Sequence, residues 1–83
     1  MTADNKRKVA KMVEDEGWTI IWVGAKMPNQ FLDEKVMLLY EDMDGYPAVC
    51  EAIYTYDRGK FNHRPYFRRV SDGARMVNLI AWK

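Results

Sequence analysis

The residues with the most catalytic potential in this chain are its single histidine, His63, and its single cysteine, Cys50. A nucleophilic triad would need this histidine as the general base, with Cys50 or Ser71 as the nucleophile. Neither nucleophile lies in the sharp glycine-flanked turn that exposes a reactive side chain, and Cys50 lies in an alternating apolar run, where a thiol is typically buried and inert. We therefore expect a non-enzymatic protein without catalytic residues or cofactor.

The acidic residues Asp42, Asp44 and Glu51 have a superficial likeness to a calcium-binding loop. The EF-hand order requires a further ligand two residues after the second aspartate, and Tyr46 and Pro47 occupy that region. The pattern favours an acidic turn, so no metal site is predicted. Asp42, Asp44 and Tyr46 are instead candidate partner-binding residues, because a carboxylate patch could occupy a basic groove made for phosphates. The alternative is a turn that is simply solvated.

The segment 58–69 combines five cations, without any acid, with aromatic rings. Cations neutralise phosphates and aromatic faces stack on bases, which is the combination that single-stranded nucleic-acid binding uses. The candidate binding residues are Arg58, Lys60, Arg64, Tyr66, Phe67, Arg68 and Arg69. The alternative is structural: some of the aromatic residues join the core, and Arg68 or Arg69 pairs with acidic residues of the neighbouring hairpin.

The overall charge is nearly balanced, with thirteen Lys and Arg against twelve Asp and Glu. A net charge of +1 creates no global field towards nucleic acid or membrane. Locally, residues 33–57 hold seven acids and one base, so we expect an acidic pole and a basic pole. The longest apolar stretch, 18–25, is far shorter than the about 20 residues that cross a bilayer. We expect a soluble, cytoplasmic protein without membrane contact.

A helix is predicted from Ala3 to Glu16, with Thr2 as its N-cap and Gly17 as its C-terminal stop. Its apolar stripe is narrow and consists of Val9, Met12 and Val13. Basic residues crowd its start and acidic residues its end, which is the reverse of what the helix dipole favours. The helix should therefore be marginal, and it should depend on docking to the sheet or on a partner.

Alternating and β-branched residues predict strands at 19–23, 35–41, 48–56, 60–61 and 76–82. A turn around Gly45 joins the second and third into a hairpin, and an irregular loop precedes the last strand. These elements predict an α+β fold, in which the N-terminal helix packs on one face of a small antiparallel sheet of three to five strands. We expect one domain over 1–83 with a single thin core, in which the helix at 1–16 extends a β core at 17–83.

The three tryptophans, with Tyr40, Tyr46, Tyr54 and Tyr56, exceed what one face of a thin sheet can cover. Some of them should remain exposed, and exposed Tyr, Trp and Arg side chains are the usual anchors of interfaces. This surplus predicts a protein partner or a homodimer.

The order of landmark residues resembles a domain-of-unknown-function family of small phage and bacterial proteins. That family has an early Trp followed by Val and Pro, a V-x-L strand, an A-x-Y-D-x-G-x-F hairpin and a closing W-M-P-L-P. The matching residues are Trp18, Val23, Pro28, Val36, Leu38, Ala52, Tyr54, Asp57, Gly59, Phe61 and the ending Ile80-Ala81-Trp82-Lys83. The resemblance covers residues 17–83, and it implies a phage or prophage accessory protein without assigned activity or agreed catalytic residues.

Two functional hypotheses follow from these observations. The leading one is binding to a host protein or protein–nucleic acid complex in the host cytoplasm, including inhibition of a host defence system. The alternative is a nucleic-acid-binding module that uses the basic aromatic segment 58–69.

Overall fold

The computed structural model describes residues 1–22, 24–57 and 64–83, and this part of the chain forms one helix and five strands. The elements are α1 Ala3–Glu16, β1 Thr19–Ile20, β2 Lys35–Glu41, β3 Pro47–Thr55, β4 Tyr66–Arg69 and β5 Leu79–Trp82. All strand pairs are antiparallel and form one sheet in the order β1-β5-β2-β3-β4. The predicted α+β fold is confirmed.

Local capping signals set both ends of α1, as the sequence predicts. The Thr2 hydroxyl accepts a hydrogen bond from the Asn5 N–H at 3.2 Å, which satisfies one of the free donors of the first turn. Gly17 ends the helix with a φ of 72°, a left-handed conformation that costs a glycine little.

The helix lies along the sheet and is tied to it near its start. At its start, the Asn5 side-chain amide donates to the Gly45 carbonyl at 3.1 Å, and the Met1 ammonium lies 3.2 Å from the Glu41 carboxylate. Its apolar stripe packs on a buried cluster of the sheet that consists of Trp18, Leu39 and Ala81. Docking therefore supplies the stability that the helix sequence lacks.

The opposite face of the sheet carries a second core, where the sequence predicts only one. Leu38 and Leu39 are both 0% exposed, and successive side chains of a strand point to opposite faces. Leu38 therefore packs away from the helix, in a cluster with Ala52, Phe67 and Met76. Both faces of the sheet are covered.

The connection between β1 and β2, described at residues 21–22 and 24–34, covers this second core. Ile21 and Met27 pack against the Leu38 cluster. The indole N–H of Trp82 donates to the Lys26 carbonyl at 2.9 Å, which ties the connection to β5. Further along, the ring of Phe31 meets the ring of Tyr56 edge-on, with centroids 5.6 Å apart. The connection thus crosses the sheet from β1 to the end of β3.

Four of the observed strands depart from the predicted ones, and in β3 the difference is a displacement by one residue, from 48–56 to Pro47–Thr55. β1 ends at Ile20. β5 begins only at Leu79, because Asn78 adopts a left-handed φ of 55° and the register of the β2–β5 pair shifts between Leu39 and Tyr40. β4 lies within the segment predicted to be an irregular loop. The strand predicted at 60–61 lies outside the described residues. β4 escapes prediction because Tyr-Phe-Arg-Arg carries only one residue that is buried.

The outer edge of β4 is covered by the returning chain. The Met76 N–H donates to the Phe67 carbonyl at 2.8 Å, and the Arg69 N–H donates to the Ala74 carbonyl at 2.9 Å. These bonds occupy backbone groups that would otherwise be open to another strand. In the described ranges, no helix has the length and apolar character needed to cross a membrane.

Candidate partner-binding surfaces

The basic aromatic segment is described from Arg64 onward; Arg58 and Lys60 lie outside the described residues, as do Phe61 and His63. Within the described part, Phe67 is 0% exposed, and its ring lies 4.8 Å from that of Tyr54 between ring centroids. The prediction of Phe67 as a partner-binding residue is wrong, because β4 directs this side chain into the second core. It cannot stack on a base or on a partner.

Arg69 forms a bidentate ion pair with Asp72, which lies in the turn that follows β4. The Arg69 Nε lies 2.9 Å from Oδ1 and its Nη2 lies 2.5 Å from Oδ2. These hydrogen bonds, with one from the Ala74 N–H, lower the pKa of Asp72 to about 2, and the same pair raises the pKa of Arg69. Arg69 is thus paired with a carboxylate of its own turn, and not with an acidic residue of the neighbouring hairpin, as the sequence suggested.

Tyr66 is held between a carboxylate and a guanidinium. Its hydroxyl donates to Asp57 at 2.9 Å, and this bond is the main reason that the pKa of the Tyr66 phenol is raised. The Arg75 guanidinium carbon lies 4.2 Å from the ring centroid, which is a cation–π distance. One face of the Tyr66 ring is therefore already covered from within the molecule.

Two predicted cations, Arg64 and Arg68, face solvent. Arg68 pairs with Arg75 in an isolated β-bridge, so two arginines lie next to each other at this edge. In the part of the chain described, neither Arg68 nor Arg75 forms an ion pair with an acidic residue. Sequence reasoning missed Arg75, because it lies outside the basic segment and only the return of the chain after Gly73 brings it alongside β4.

The acidic turn is organised by Asp42. Its Oδ1 accepts hydrogen bonds from the N–H of Asp44 at 3.0 Å and from that of Tyr46 at 2.9 Å. A side chain that bonds the backbone of its own turn stabilises that turn and has less capacity left for a partner. Of the three candidate residues in this turn, Asp44 and Tyr46 are the exposed ones.

In the part of the chain that the structure describes, acidic and basic residues approach each other at one place. β3 and β4 are neighbours in the sheet, so the two segments run side by side. A cleft of about 270 Å³ has Glu41 and Asp42 on one side and Arg69 and Arg75 on the other. Charges of both signs therefore meet in one place, and a partner would encounter a mixed surface.

Three large exposed apolar side chains lie on the connection between β1 and β2. Trp22 is 67% exposed, Phe31 is 65% exposed and Leu32 is 58% exposed. Beside Phe31 lies a groove of about 630 Å³, whose lining includes Met27, Val36 and Trp82. Of the three exposed side chains, Phe31 lines this groove, whereas Trp22 and Leu32 lie elsewhere on the same connection. We call these three side chains and this groove the loop surface.

A local turn presents Phe31 to solvent. The Asn29 Oδ1 accepts a hydrogen bond from the Phe31 N–H at 2.9 Å, and the Asn29 carbonyl accepts one from the Leu32 N–H at 3.3 Å. Sequence reasoning missed Phe31 and Leu32, since they stand alone among polar residues and show no period. The one available signal was an apolar pair directly after the turn signal Pro28-Asn29.

Cys50 is half-buried in β3, and burial raises the pKa of its thiol. Over the described ranges, no three His, Cys, Asp or Glu side chains come together in a way that could hold a metal ion. No family model, curated protein or solved structure matches the chain. The family resemblance therefore stays a prediction, and a function has to be argued from the surfaces themselves.

Proposed function

We propose that this protein is non-enzymatic and acts by binding another protein through the loop surface. The observation that carries the proposal is the exposure of Trp22, Phe31 and Leu32 within one short connection. Large apolar side chains that remain in water cost free energy, and clusters of them beside a groove are typical of protein interfaces. Burying one such side chain contributes about 1.5–3 kcal/mol.

The loop surface is supported by the fold, so a partner would not have to order it. The Trp82 bond to Lys26, the Asn29 turn and the contact between Phe31 and Tyr56 fix the connection at three points. A preorganised surface loses less entropy on association. Charged and polar residues also line the groove, among them Lys26 and Glu34, so it offers both the apolar and the polar groups that interfaces combine.

The resemblance to phage and bacterial proteins narrows the proposal further. It favours a phage or prophage accessory protein that works in the cytoplasm of the host cell. The partner would then be a host protein or a protein–nucleic acid complex, and inhibition of a host defence complex is the form of binding we propose first.

The test is affinity capture from a host lysate with matched variants. The double variant Trp22→Ser, Phe31→Ser should lose the partner that the wild type recovers. The control, Met43→Ser with Val77→Ser, removes two other exposed apolar side chains and should retain it. Circular dichroism confirms that both variants fold. Equal recovery by both variants, or no stoichiometric partner of the wild type, contradicts the proposal.

A second candidate function is nucleic-acid binding at the β4 edge, and the adjacent pair of Arg68 and Arg75 favours it. In this nucleic-acid-binding candidate, Arg64, Arg68 and Arg75 contact phosphates, and Phe67 takes no part. Fluorescence anisotropy with short single strands at low salt tests it. Arg68→Ala with Arg75→Ala should weaken binding and reduce its salt dependence, whereas Lys8→Ala with Lys11→Ala on the helix should change it less. Absence of binding by the wild type ends this candidate.

A further inference from the structure

The two edges of the sheet differ in how they are protected. The edge at β4 is paired with the returning segment 74–76, whereas β1 has no strand on its outer side in the part of the chain that is described. The Ile21 N–H donates inward to the Ile80 carbonyl at 2.9 Å. Because hydrogen-bonding direction alternates along an antiparallel strand, the N–H and C=O of Ile20 point away from the sheet. β1 therefore presents an open donor and acceptor at Ile20.

An apolar groove of about 340 Å³ lies directly beside this edge, between α1 and β1. Its apolar lining consists of Val9, Ala10, Val13, Ile20 and Ile80. Two charged residues, Lys6 and Glu14, complete the lining. Ile20 is 53% exposed, so the open edge and the groove form one continuous apolar surface.

The charges on this flank of the helix complement the same charges on a second, antiparallel copy of the helix. Lys6, Ala10 and Glu14 are spaced by four residues and share one flank, and each charged residue lies about 6 Å along the axis from Ala10. A two-fold rotation beside Ala10 therefore places Lys6 of one helix opposite Glu14 of the other, twice. The wider charge pattern follows the same symmetry: the cations are Lys6, Arg7, Lys8 and Lys11, and the C-terminal acids are Glu14, Asp15 and Glu16.

We propose that a second copy of this chain docks on this surface, with β1 against β1 in antiparallel pairing. The outward N–H and C=O of Ile20 then bond those of the partner's Ile20, and the two sheets join into one. Since α1 runs along the sheet from Gly45 to Trp18, a two-fold axis perpendicular to the sheet makes the two helices antiparallel on the same face. Within one helix, basic residues at the start and acidic residues at the end oppose the helix dipole. Between two antiparallel helices, the basic start of one lies beside the acidic end of the other, and these charges attract.

This dimer goes beyond the proposed function and does not depend on it, because it uses β1 and one flank of α1 and not the groove beside Phe31. It explains why β1 is left open while β4 is covered, since an unprotected edge is a liability unless something pairs with it. It also assigns a role to the Lys6, Ala10 and Glu14 flank, which the packing of the single chain leaves in solvent.

Sedimentation equilibrium over about 1 µM to 1 mM tests the dimer with charge reversals. The wild type should associate, and Lys6→Glu or Glu14→Lys alone should each weaken association about tenfold, because each places like charges opposite each other twice. A 1:1 mixture of these two single variants should associate as the wild type does, since every cross-pair is again Lys with Glu. The double variant Lys6→Glu, Glu14→Lys should also recover.

The control pair is Lys8→Glu and Asp15→Lys, which makes the same charge changes on the other flank of the helix. These variants should associate like the wild type, both singly and mixed. Amide exchange gives a readout without mutation: the Ile20 N–H should become protected as the concentration rises. A wild type that stays monomeric, single reversals without effect, or an Ile20 amide that exchanges independently of concentration overturns the proposal.

Discussion

Phe67 and Phe31 occupy opposite environments, although each lies next to a charged or polar stretch. Phe67 is fully buried because β4 pairs with β3 and directs its side chain towards Ala52 and Leu38. Phe31 is turned outward by the Asn29 turn and keeps only an edge contact with Tyr56. The hydrogen bonds of the surrounding backbone, strand pairing at Phe67 and a turn at Phe31, decide which phenylalanine stabilises the fold and which one is available for binding.

We predict that Phe67→Ala lowers the free energy of unfolding by about 3–5 kcal/mol, because it leaves a cavity in a packed cluster. Phe31→Ala is the matched control and should cost less than about 1.5 kcal/mol, which is the range of a single aromatic pair. Urea unfolding followed by circular dichroism measures both. Equal losses in the two variants would show that Phe67 is not a core residue.

Asp72 gives a prediction about acid stability. Its pKa in the folded protein is lowered from 3.8 to about 2 by the hydrogen bonds from Arg69 and Ala74. A lowered folded pKa means that the stabilisation is fully present above the ordinary pKa and is lost as the pH falls from about 4 to about 2. The wild type should therefore lose more stability over this window than Asp72→Asn does. NMR titration of the Asp72 carboxyl group measures the pKa directly, and an unshifted value would contradict the ion pair.

At the scale of elements, α1 shows how docking compensates for a weak helix sequence. Its charges are arranged against its dipole, and none of its residues is fully buried. It is nevertheless held by its cap, by the contacts at Gly45 and Glu41, and by the stripe that packs on Leu39 and Ala81. Because these contacts tie the helix to the sheet, its local stability should count in the unfolding of the whole domain.

We predict that Thr2→Ala lowers the free energy of unfolding by about 1 kcal/mol, since the first turn loses its side-chain acceptor. Thr2→Ser keeps the hydroxyl and should remain close to the wild type. Urea unfolding measures the effect on the sheet through tryptophan fluorescence. If the helix frayed independently, the midpoint would stay unchanged and only the amides of α1 would exchange faster.

An element is predictable from the sequence when the residues that determine it lie within the element or next to it. The bounds of α1 and β2 match the predicted ones, because a cap, a stop glycine and an apolar run are local features. β4 depends on pairing with β3 and on the return of residues 74–76, and neither is encoded within Tyr66–Arg69. The same reason separates the candidate residues: the exposure of Tyr46 follows from a turn, whereas the burial of Phe67 follows from strand pairing.

At the scale of the whole molecule, the sheet is a central layer between two thin cores. The helix covers one face and the connection 21–34 covers the other. This arrangement buries more aromatic area than a single face could, and among the described aromatic residues it leaves Trp22, Phe31 and Tyr46 exposed. A small domain gains stability in this way because more of its apolar surface leaves water.

Substitutions of Leu38 and Leu39 test whether each face of the sheet carries a core. We predict that Leu38→Ala and Leu39→Ala each lower the free energy of unfolding by about 2–5 kcal/mol, because each residue is fully buried in a different cluster. Met37→Ala, at the exposed end of the same strand, should cost less. Urea unfolding monitored by circular dichroism measures the three variants. A near-neutral effect at either leucine would mean that its face of the sheet is not a core.

The sequence by itself determined the helix with its two ends, the β2–β3 hairpin and the α+β class, because caps, turn residues and alternation act over a few neighbouring residues. The tertiary structure alone decided which faces are covered, that Phe67 is buried and Phe31 exposed, and that Arg69 pairs with Asp72 while Arg68 lies beside Arg75. These outcomes depend on contacts between segments that are distant in the sequence. Such contacts are set by the packing of the whole chain and not by the residues of any one segment.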